Sequence, residues 1–332
     1  MAEYNGVMVC CEIAGGRLTA VTTELLGCGR KLADDLGQEL LAVLAGSGVG
    51  KLAQEAIAFG ADKVYVIDDP LLKDYHSENY LTVIEKAARQ AMPSIILLGQ
   101  TSLGRDMAPR LAFRLETAAV MDCIDLAIDT ESKKLLQTKP VYGGNAHAIF
   151  TSDSLPQIAA VRARTMPPPE QDTSRRGELV PITADLDPSV IRTRLLEKVT
   201  AERDGIGLED ARVVITGGRG IGGNYGFRQL EELAKLLNGA VGASRPPCDN
   251  GWVAVTLQIG LTGRVITPDL YIAVAVSGTS QHMSGCSGAR NIVAINKDPQ
   301  ANIFREARFG VVGDWEKVLP AFVSKVRELL DG

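Results

Sequence analysis

Residues 211–223 read ARVVITGGRGIGG, and this stretch decides the fold class of the second half of the chain. An apolar run of strand length enters a turn rich in glycine, and a helical pattern follows from about Phe227 to Leu237. Gly218, Gly220 and Gly223 have the G-x-G-x-x-G spacing that lets a backbone approach a dinucleotide pyrophosphate. A strand, a glycine turn and a helix in this order predict a parallel, doubly wound α/β sheet.

A nicotinamide-dependent oxidoreductase is one interpretation of this glycine turn. Folds of that type place an acidic residue at the end of the next strand, about 20 positions on, to hold the ribose hydroxyls. Here the next predicted strand, Ala240–Ala243, is followed by Ser244 and Arg245. This alternative therefore lacks its second anchor, and its one evident proton donor is His282. A third interpretation, an adenine-nucleotide sensor or scaffold without redox chemistry, stays open as well.

The later apolar strands of this half all end in small or polar residues. These predicted strands are Tyr271–Val276, Ile292–Ile295 and Gly310–Val312. Ligands of open parallel sheets bind outside the carboxyl ends of the strands. The side chains expected at this edge are Arg219, Ser244, Ser277, Asn296 and Asp314. Together they favour a nucleotide-type site in the C-terminal domain.

The first half alternates strand-length apolar runs with amphipathic stretches, which predicts a largely parallel sheet. The predicted strands are Val7–Ile13, Glu39–Leu44, Lys63–Ile67 and Ser94–Leu98. The predicted helices are Leu25–Leu36, Lys51–Phe59, Tyr80–Met92 and Asp106–Leu115. Shorter apolar pieces follow Thr117 and are expected as strands added to one sheet: Ile124–Ile128, Leu135–Thr138, His147–Phe150 and Ile158–Arg162.

A second glycine-rich loop, Ala45–Leu52, reads AGSGVGKL. A phosphate-binding P-loop needs a glycine at the position of Ala45 and a hydroxyl residue at the position of Leu52. Both requirements fail, so we interpret this segment as an ordinary turn between a strand and a helix.

Residues 165–177, TMPPPEQDTSRRG, hold three consecutive prolines and a polar run, which predicts a loop or linker. A short connecting helix is predicted over Leu186–Ala201, with Asp187 as its N-cap. The domain boundary is expected between about 165 and 207. We assign residues 1–195 to an N-terminal α/β scaffold domain and residues 207–332 to a C-terminal doubly wound domain.

Composition excludes several classes of protein. The 332 residues are 45% hydrophobic and 23% charged, as in globular proteins with large cores. The net charge of −5 argues against nucleic acid as the main partner. No apolar run reaches the ~18 residues of a membrane span, and no targeting segment is evident, so a cytoplasmic location is expected. The six cysteines have no CxxC or metal-ligand spacing, which indicates free thiols and no metal site.

At the strand ends the sequence resembles the α subunit of electron-transferring flavoproteins, over nearly the whole chain. The order and spacing of several motifs carry this resemblance: TGGRG (216–220), VGASR (241–245), IGLTG (259–263), SGTSQH (277–282), AINKD (294–298) and Gly313–Asp314. Weaker counterparts in the first half are GADKVY (60–65) and LGQTSLGRD (98–106).

The resemblance implies an electron carrier subunit, without a small-molecule substrate or catalytic residues of its own. Such proteins are heterodimers with a β subunit and hold FAD mainly in the C-terminal domain of α. The resemblance thus implies that residues 1–195 are the scaffold that binds the β subunit and that residues 207–332 are the FAD-binding domain. They accept electrons from an acyl-CoA dehydrogenase, as in fatty acid oxidation, or from another flavin dehydrogenase, and pass them to a quinone-linked or other acceptor. Some members bifurcate electrons, and the sequence leaves that question open. The flavin domain moves relative to the scaffold in this family, and Pro167–Pro169 is a candidate join.

The resemblance also implies which residues hold FAD. They are Arg219, Ser244, Arg245, Ile259, Gly260, Leu261, Thr262, Ser277, Gly278, Thr279, Ser280, Gln281, His282, Asn296, Asp314 and Trp315. Arg245 and His282 are expected beside the flavin ring, with the Thr262 hydroxyl near N5 and His282 near the C2 carbonyl. Leu261 departs from the family pattern, which has a glutamine in this loop.

Two of these residues have a physical reason to tune a flavin. Reduction places negative charge along one edge of the ring, so a permanently charged guanidinium at Arg245 would raise the reduction potential. A hydrogen bond or a proton donated by His282 would act in the same direction. His76 and His147 lack such context and are expected to be structural or surface residues.

Overall fold

A computed structural model of the chain describes residues 4–144, 146–188, 193, 196–197 and 206–331. These residues form two compact units. The first comprises described parts of 1–140 and 147–198, and the second comprises described parts of 141–146 and 199–332. The expected α/β class with two parallel-sheet units is confirmed.

The first unit is built on a seven-stranded sheet in which all adjacent strands are parallel. Numbered along the chain and given in spatial order, its strands are β12 (Glu178–Pro181), β5 (Lys63–Asp68), β4 (Leu40–Gly46), β1 (Val7–Cys10), β6 (Ile95–Gly99), β11 (Gln157–Val161) and β7 (Ala119–Cys123). Its helices are α1 (Ala20–Leu36), α2 (Ala53–Ala58), α3 (Ser77–Ala91) and α4 (Ser102–Arg114). A small hairpin of β2 (Ile13–Ala14) and β3 (Arg17–Leu18) follows β1.

Both faces of this sheet are covered, which explains why its strands are almost continuously apolar. Successive side chains of a strand point to opposite faces, so Val7 and Val9 join one core cluster while Met8 joins another. The first cluster includes Leu25 of α1, and the second includes Ile84 of α3. Helices therefore pack on both sides of the sheet, as the alternation of strands and helices predicts.

The expectation that the pieces after Thr117 extend one sheet is correct only in part. Of the four predicted pieces only Ile158–Arg162 joins the large parallel sheet, as β11. It pairs there with β7, a strand that the sequence did not predict. A separate three-stranded sheet contains β8 (Asp125–Ile128), β9 (Leu135–Val141) and β10 (Ala146–Phe150). A short turn sends β9 back antiparallel along β8, with Asp125 opposite Thr138, and a reversed strand of this kind does not continue a parallel ladder.

The proline-rich segment lies within the first unit, which corrects its interpretation as a join between domains. Gly27 of α1 packs so closely on this segment that an added Cβ would lie 2.8 Å from the Pro167 carbonyl oxygen. The chain then forms β12, which pairs with β5. Sequence reasoning missed this strand because it has only four residues, ELVP, three of them exposed. The helix predicted over Leu186–Ala201 falls largely outside the described residues.

The glycine-rich loop after β4 is a turn, as interpreted from its sequence. The Asp68 carboxylate accepts hydrogen bonds from the backbone of Gly48 at 2.7 Å and of Gly50 at 3.3 Å. Two amides of this loop are thus already bound to a carboxylate of the chain itself, where a P-loop would present its amides to a phosphate.

The second unit contains a five-stranded parallel sheet. In spatial order its strands are β14 (Ala240–Ala243), β13 (Val213–Gly217), β15 (Leu270–Val274), β16 (Ile292–Asn296) and β17 (Phe309–Val312). Its helices are α5 (Asn224–Leu236), α6 (Arg245–Asp249), α7 (Ser280–Met283), α8 (Ile303–Glu306) and α9 (Trp315–Asp331).

The core of the second unit also occupies both faces of its sheet. Ile272 and Ile295 pack with Phe227 of α5 and Leu319 of α9 on one face. Tyr271, between the strands and α7, belongs to the cluster on the other face. The strand order reverses between β13 and β15, because the chain first moves outward to β14 and then crosses back. That reversal places a crevice at the carboxyl ends of these strands.

All six cysteines are free thiols in this structure. None of the helices in the described part of the chain is both long and apolar enough to cross a membrane.

Candidate functional site

A cleft of about 870 Å³ opens at the carboxyl ends of the second sheet. Many of its lining residues come from the turns that follow β13, β14, β15 and β16. The predicted site residues that line it are Arg219, Ser244, Arg245, Ile259, Gly260, Leu261, Thr262, Ser277, Thr279, Gln281, His282 and Asn296. The structure thus brings together most of the residues predicted from widely separated motifs.

Gly278 and Ser280 do not line this cleft, although their neighbours do. Gly278 has a φ of +77°, and an added Cβ would lie 2.3 Å from the backbone nitrogen of Ile303. It therefore turns the chain between Ser277 and Thr279 against α8. Ser280 is the first residue of α7, and its carbonyl oxygen accepts a hydrogen bond from Ser284.

Asp314 and Trp315 also lie outside the set of residues that line the cleft. Asp314 accepts a hydrogen bond from the Glu316 amide at 3.1 Å, at the start of α9. The buried Trp315 indole donates a hydrogen bond to the Gly220 carbonyl oxygen at 3.1 Å. Trp315 thus supports the glycine turn through its backbone.

Sequence reasoning missed further residues that line the cleft, including Pro246, Asp249, Gln258, Lys297, Asp298, Gln300 and Asn302. Lys297 and Asp298 directly follow Asn296, so their position at a strand end was a usable signal. Gln258 immediately precedes the 259–263 loop. No simple sequence pattern identifies Asp249, because it reaches the cleft from the opposite end of α6.

The glycine turn after β13 requires the absence of a side chain. A Cβ on Gly218 would lie 2.0 Å from the Ala275 carbonyl oxygen, and one on Gly220 would lie 3.0 Å from the Ala275 Cβ. The turn can therefore pass directly beside the end of β15. This close approach places Arg219 at the mouth of the cleft, beside the Ser277 turn.

The loop 259–263 packs against α7. Gly260 has a φ of +142°, and a Cβ there would lie 2.8 Å from the Gln281 carbonyl oxygen. That oxygen accepts a hydrogen bond from the Leu261 amide at 2.7 Å. The Gln258 side chain donates to the Thr262 hydroxyl at 2.9 Å, which orients that hydroxyl. Leu261 itself is 68% exposed, so its side chain extends toward solvent.

His282 is buried in the wall of the cleft. Its Nδ1 lies 3.1 Å from the Ile259 carbonyl oxygen, and its Nε2 lies 2.6 Å from the Tyr271 hydroxyl. Burial lowers the pKa of His282 to about 4, against the hydrogen bond to Ile259, which raises it. The imidazole is therefore neutral near pH 7 and both ring nitrogens bond to the protein. Donation from His282 to a flavin would require one of these bonds to be exchanged, and the expected role stays a prediction.

Arg245 begins α6, directly after Ser244. Its side chain is 66% exposed, and Nε lies 3.1 Å from an Asp249 carboxylate oxygen one helical turn away. The guanidinium thus keeps nitrogens free for a further partner, because it has five N–H donors. Asp249 holds the cation on the side of the cleft.

The end of β16 is held by the Asn296 side chain. Its Nδ2 donates to the Val276 carbonyl oxygen at 2.8 Å, and its Oδ1 accepts from the Asp298 amide at 3.0 Å. These bonds tie the ends of two neighbouring strands together. Arg219, Arg245 and Lys297 supply the cations of the lining, while Asp249 and Asp298 supply its carboxylates, so the cleft carries a small excess of positive charge.

A crevice at the strand-order reversal, crossed by glycine turns and lined by cations and hydroxyls, defines a doubly wound domain that binds an anionic dinucleotide-type cofactor. Two family models extend this classification. The electron transfer flavoprotein domain matches residues 7–187, and the electron transfer flavoprotein FAD-binding domain matches residues 207–287. The chain belongs to the electron transfer flavoprotein family and, within it, to the alpha subunits.

Similar proteins support this assignment over the whole length. The chain is 44% identical to the electron transfer flavoprotein subunit alpha of Thermoanaerobacterium thermosaccharolyticum, covering 99% of this chain and 100% of that one. It is 41% identical to the subunit of the same name from Megasphaera elsdenii, covering 99% and 98%. It is 40% identical to the protein FixB of Azotobacter vinelandii, covering 99% and 92%.

FAD is the cofactor of this domain family, and the residues of the cleft fit it. A volume of about 870 Å³ lies within the range of ligand pockets, roughly 300–1,000 Å³. Gly218 and Gly260 pack so closely on neighbouring backbone that neither position could hold a side chain, so both turns contribute only backbone there. The donor set combines guanidinium, ammonium, hydroxyl and amide groups, which suits a diphosphate joined to polar rings.

Proposed function

We propose that this chain is the FAD-holding electron carrier subunit of a heterodimer, with the cleft of the second unit as the cofactor site. The observation that carries the proposal is the convergence of Arg219, Ser244, Thr262, Ser277 and Asn296 on one cleft from separate strand ends. The family assignment supplies the cofactor, and the cleft supplies a place of suitable size and chemistry.

Arg219 and Lys297 are the groups we assign to the diphosphate side of the cofactor. Both line the cleft, and both stand in turns at strand ends, where backbone amides are also available. A guanidinium and an ammonium each form strong charge-assisted hydrogen bonds to phosphate oxygens. The Ser277 hydroxyl, in the turn that Gly278 shapes, adds a neutral donor.

Arg245 is the group we assign to the redox-active ring. When bound, FAD supplies reversible electron uptake and release. Arg245 would stabilise negative charge on the ring, because a guanidinium is a permanent cation. Asp249 restrains the guanidinium through their ion pair. His282, neutral and bonded on both nitrogens, contributes shape and a fixed wall in place of charge.

The partner chemistry follows from the family and completes the proposal. We infer a β subunit as the stable partner, an acyl-CoA dehydrogenase or another flavin dehydrogenase as the donor, and a quinone-linked or other acceptor. A role in fatty acid oxidation and a cytoplasmic location belong to the same proposal, as does the absence of a small-molecule substrate. A bifurcating complex is compatible with this chain, since the residues that decide it belong largely to the β subunit.

The test is to purify the chain together with its co-encoded β subunit and to record the visible spectrum during stepwise anaerobic reduction. We expect flavin absorption in the native complex, and a loss of FAD when the Arg219 and Lys297 side chains are both truncated to alanine. Arg245→Ala should shift the flavin reduction potential to more negative values, and Arg245→Lys should shift it less. Arg308→Ala is the matched control, since Arg308 lies outside the cleft against Phe309.

A colourless complex that does not take up added FAD would refute the proposal. Titration with NADH and NADPH tests the nicotinamide alternative, which the structure does not favour because Ser244 and Arg245 occupy the end of β14. If the flavin reduction potential is unchanged in Arg245→Ala, the role assigned to Arg245 is wrong, while the proposed binding of FAD in the cleft is unaffected.

A further inference from the structure

Tyr271, His282 and the Ile259 backbone form a chain of hydrogen bonds across the wall of the cleft. Tyr271 lies on β15, His282 on α7 and Ile259 in the loop that follows Gln258. The Tyr271 side chain is fully buried and His282 is 5% exposed. The O–Nε2 distance of 2.6 Å and the Nδ1–O distance of 3.1 Å are both within hydrogen-bond range.

Chemistry fixes the direction of each bond in this chain. The Ile259 carbonyl oxygen only accepts, so Nδ1 of His282 carries a hydrogen and donates it. A neutral imidazole has one N–H, so Nε2 is then unprotonated and accepts. The Tyr271 hydroxyl must therefore donate to Nε2. The lone pair of Nε2, where a proton would otherwise bind, is occupied by the tyrosine.

We propose that Tyr271 is a positioning residue of the FAD site: its hydroxyl holds His282 in the neutral Nδ1–H tautomer, with the ring fixed against the cleft. The effect of Tyr271 on FAD rests on the proposed function, whereas its effect on His282 does not. It assigns a role to a residue that does not itself line the cleft.

The physical consequence is that Tyr271 adds to the effect of burial in keeping a positive charge off the cleft wall. Donation from a hydroxyl stabilises the neutral imidazole and disfavours proton uptake at Nε2. The cationic side chains that line the cleft are then Arg219, Arg245 and Lys297, without a contribution from His282.

Several groups face His282, and the Tyr271 hydroxyl is the one that bonds Nε2, the nitrogen at which the ring would gain a proton. On α7 and its continuation, the nearest titratable group is Cys286, whose Sγ lies 3.6 Å from the His282 carbonyl oxygen and whose pKa is raised by burial. On β15 it is Tyr271, whose own pKa is raised by burial. The loop at Ile259 contributes a carbonyl. The other charged side chains that line the cleft are those of Arg219, Arg245, Lys297, Asp249 and Asp298.

The experiment follows the imidazole nitrogens by NMR in the full chain labelled with ¹⁵N-histidine, purified with its β subunit. The chain has only three histidines, so His76→Gln and His147→Gln assign the third signal set. The variant is Tyr271→Phe, which removes one oxygen. The matched control is Tyr80→Phe, because the Tyr80 hydroxyl also donates a hydrogen bond, to Leu72 at 2.9 Å, in the first unit.

We expect wild-type His282 to be neutral with a protonated Nδ1 near neutral pH and to resist protonation in mild acid. In Tyr271→Phe its protonation midpoint should rise by about one pH unit, a tenfold gain in proton affinity. Tyr80→Phe should leave it unchanged. With FAD bound, Tyr271→Phe should shift the reduction potential to more positive values as the pH falls, since a charged imidazole then joins the wall.

A protonated Nε2 in the wild type, or the same midpoint in Tyr271→Phe as in the wild type, would overturn the inference. If Tyr271 had only a structural role, Tyr271→Phe would lower the stability of the protein and leave the protonation midpoint of His282 unchanged. If Tyr271→Phe does not fold, the wild-type Nε2 signal decides, because an Nε2 that accepts no hydrogen bond would also overturn the inference. The tautomer is measured with FAD removed as well as bound, so failure of FAD to bind would refute the proposed function without touching this result.

Discussion

The substitution Gly278→Ala tests the geometry on which the strand-end turn depends. Gly278 has a φ of +77°, which costs an alanine about 1–2 kcal/mol. The added Cβ would also lie 2.3 Å from the Ile303 nitrogen, whose amide donates to the Ser277 carbonyl oxygen at 3.1 Å. Displacing that amide loses a hydrogen bond worth about 1 kcal/mol and loosens the buried Ile303. We expect a total loss of about 2 kcal/mol, because the restriction of the unfolded chain by alanine offsets part of the cost of the positive φ.

Gly251→Ala is the matched control, because Gly251 has a φ of +69° and no atom of the described residues lies within 4 Å of the added Cβ. It should cost only about 1 kcal/mol, since alanine also restricts the unfolded chain. Urea unfolding followed by tryptophan fluorescence reports on the second unit alone, because both tryptophans, Trp252 and Trp315, belong to it. Gly278→Ala should also weaken FAD retention. Equal losses of stability in the two variants would refute the close approach to Ile303.

Three further predictions concern charge and reactivity. Between about pH 6.5 and 4 the unfolded state binds a proton at His282 that the folded state excludes, so the free energy of unfolding falls as the pH falls, by up to about 3 kcal/mol. In urea titrations at several pH values, His282→Gln should therefore show a weaker dependence of stability on pH. An unchanged dependence would contradict the buried neutral imidazole. Burial raises the pKa of Cys286 to about 12, so its reactive thiolate form is scarce. We expect a disulfide reagent to react rapidly with none of the six cysteines in the native chain and with all six after denaturation. Asp122→Asn should lower the stability of the first unit by about 2 kcal/mol, because the mostly buried Arg162 loses its bidentate carboxylate partner. In the wild type, Nε and Nη2 of Arg162 lie 2.9 and 2.7 Å from the two carboxylate oxygens of Asp122. An unaffected unfolding curve would mean that this ion pair contributes nothing to stability.

The sequence was sufficient for the fold class and for about half of the residues that line the cleft. Apolar runs such as Ala240–Ala243 coincide with observed strands because a strand covered on both faces must be apolar throughout. The side chains that follow these runs converge because parallel strands end at one edge of the sheet. Residues such as Arg219 and Asn296 were therefore predictable by position.

Features that depend on long-range packing were not predictable. The pairing of β12 with β5 joins segments more than a hundred residues apart, and no local pattern encodes it. The state of His282 depends on Tyr271, which sequence reasoning treated only as an apolar strand residue. Trp315 supports the glycine turn at Gly220, and its indole bond crosses from α9 to a distant loop. In each case the contact is made by the tertiary fold.

The chain returns to the first sheet at β12, and this determines where a gene fragment that encodes the first unit can end. A fragment that stops in the proline-rich segment would leave β5, Lys63–Asp68, as the edge of its sheet, with the backbone groups that pair Glu178–Pro181 exposed. Uncovered strands of this kind pair with other copies and aggregate. A fragment of the first unit that is expressed for crystallisation or for binding studies should therefore retain Pro181, even though the prolines at 167–169 look like the natural place to cut.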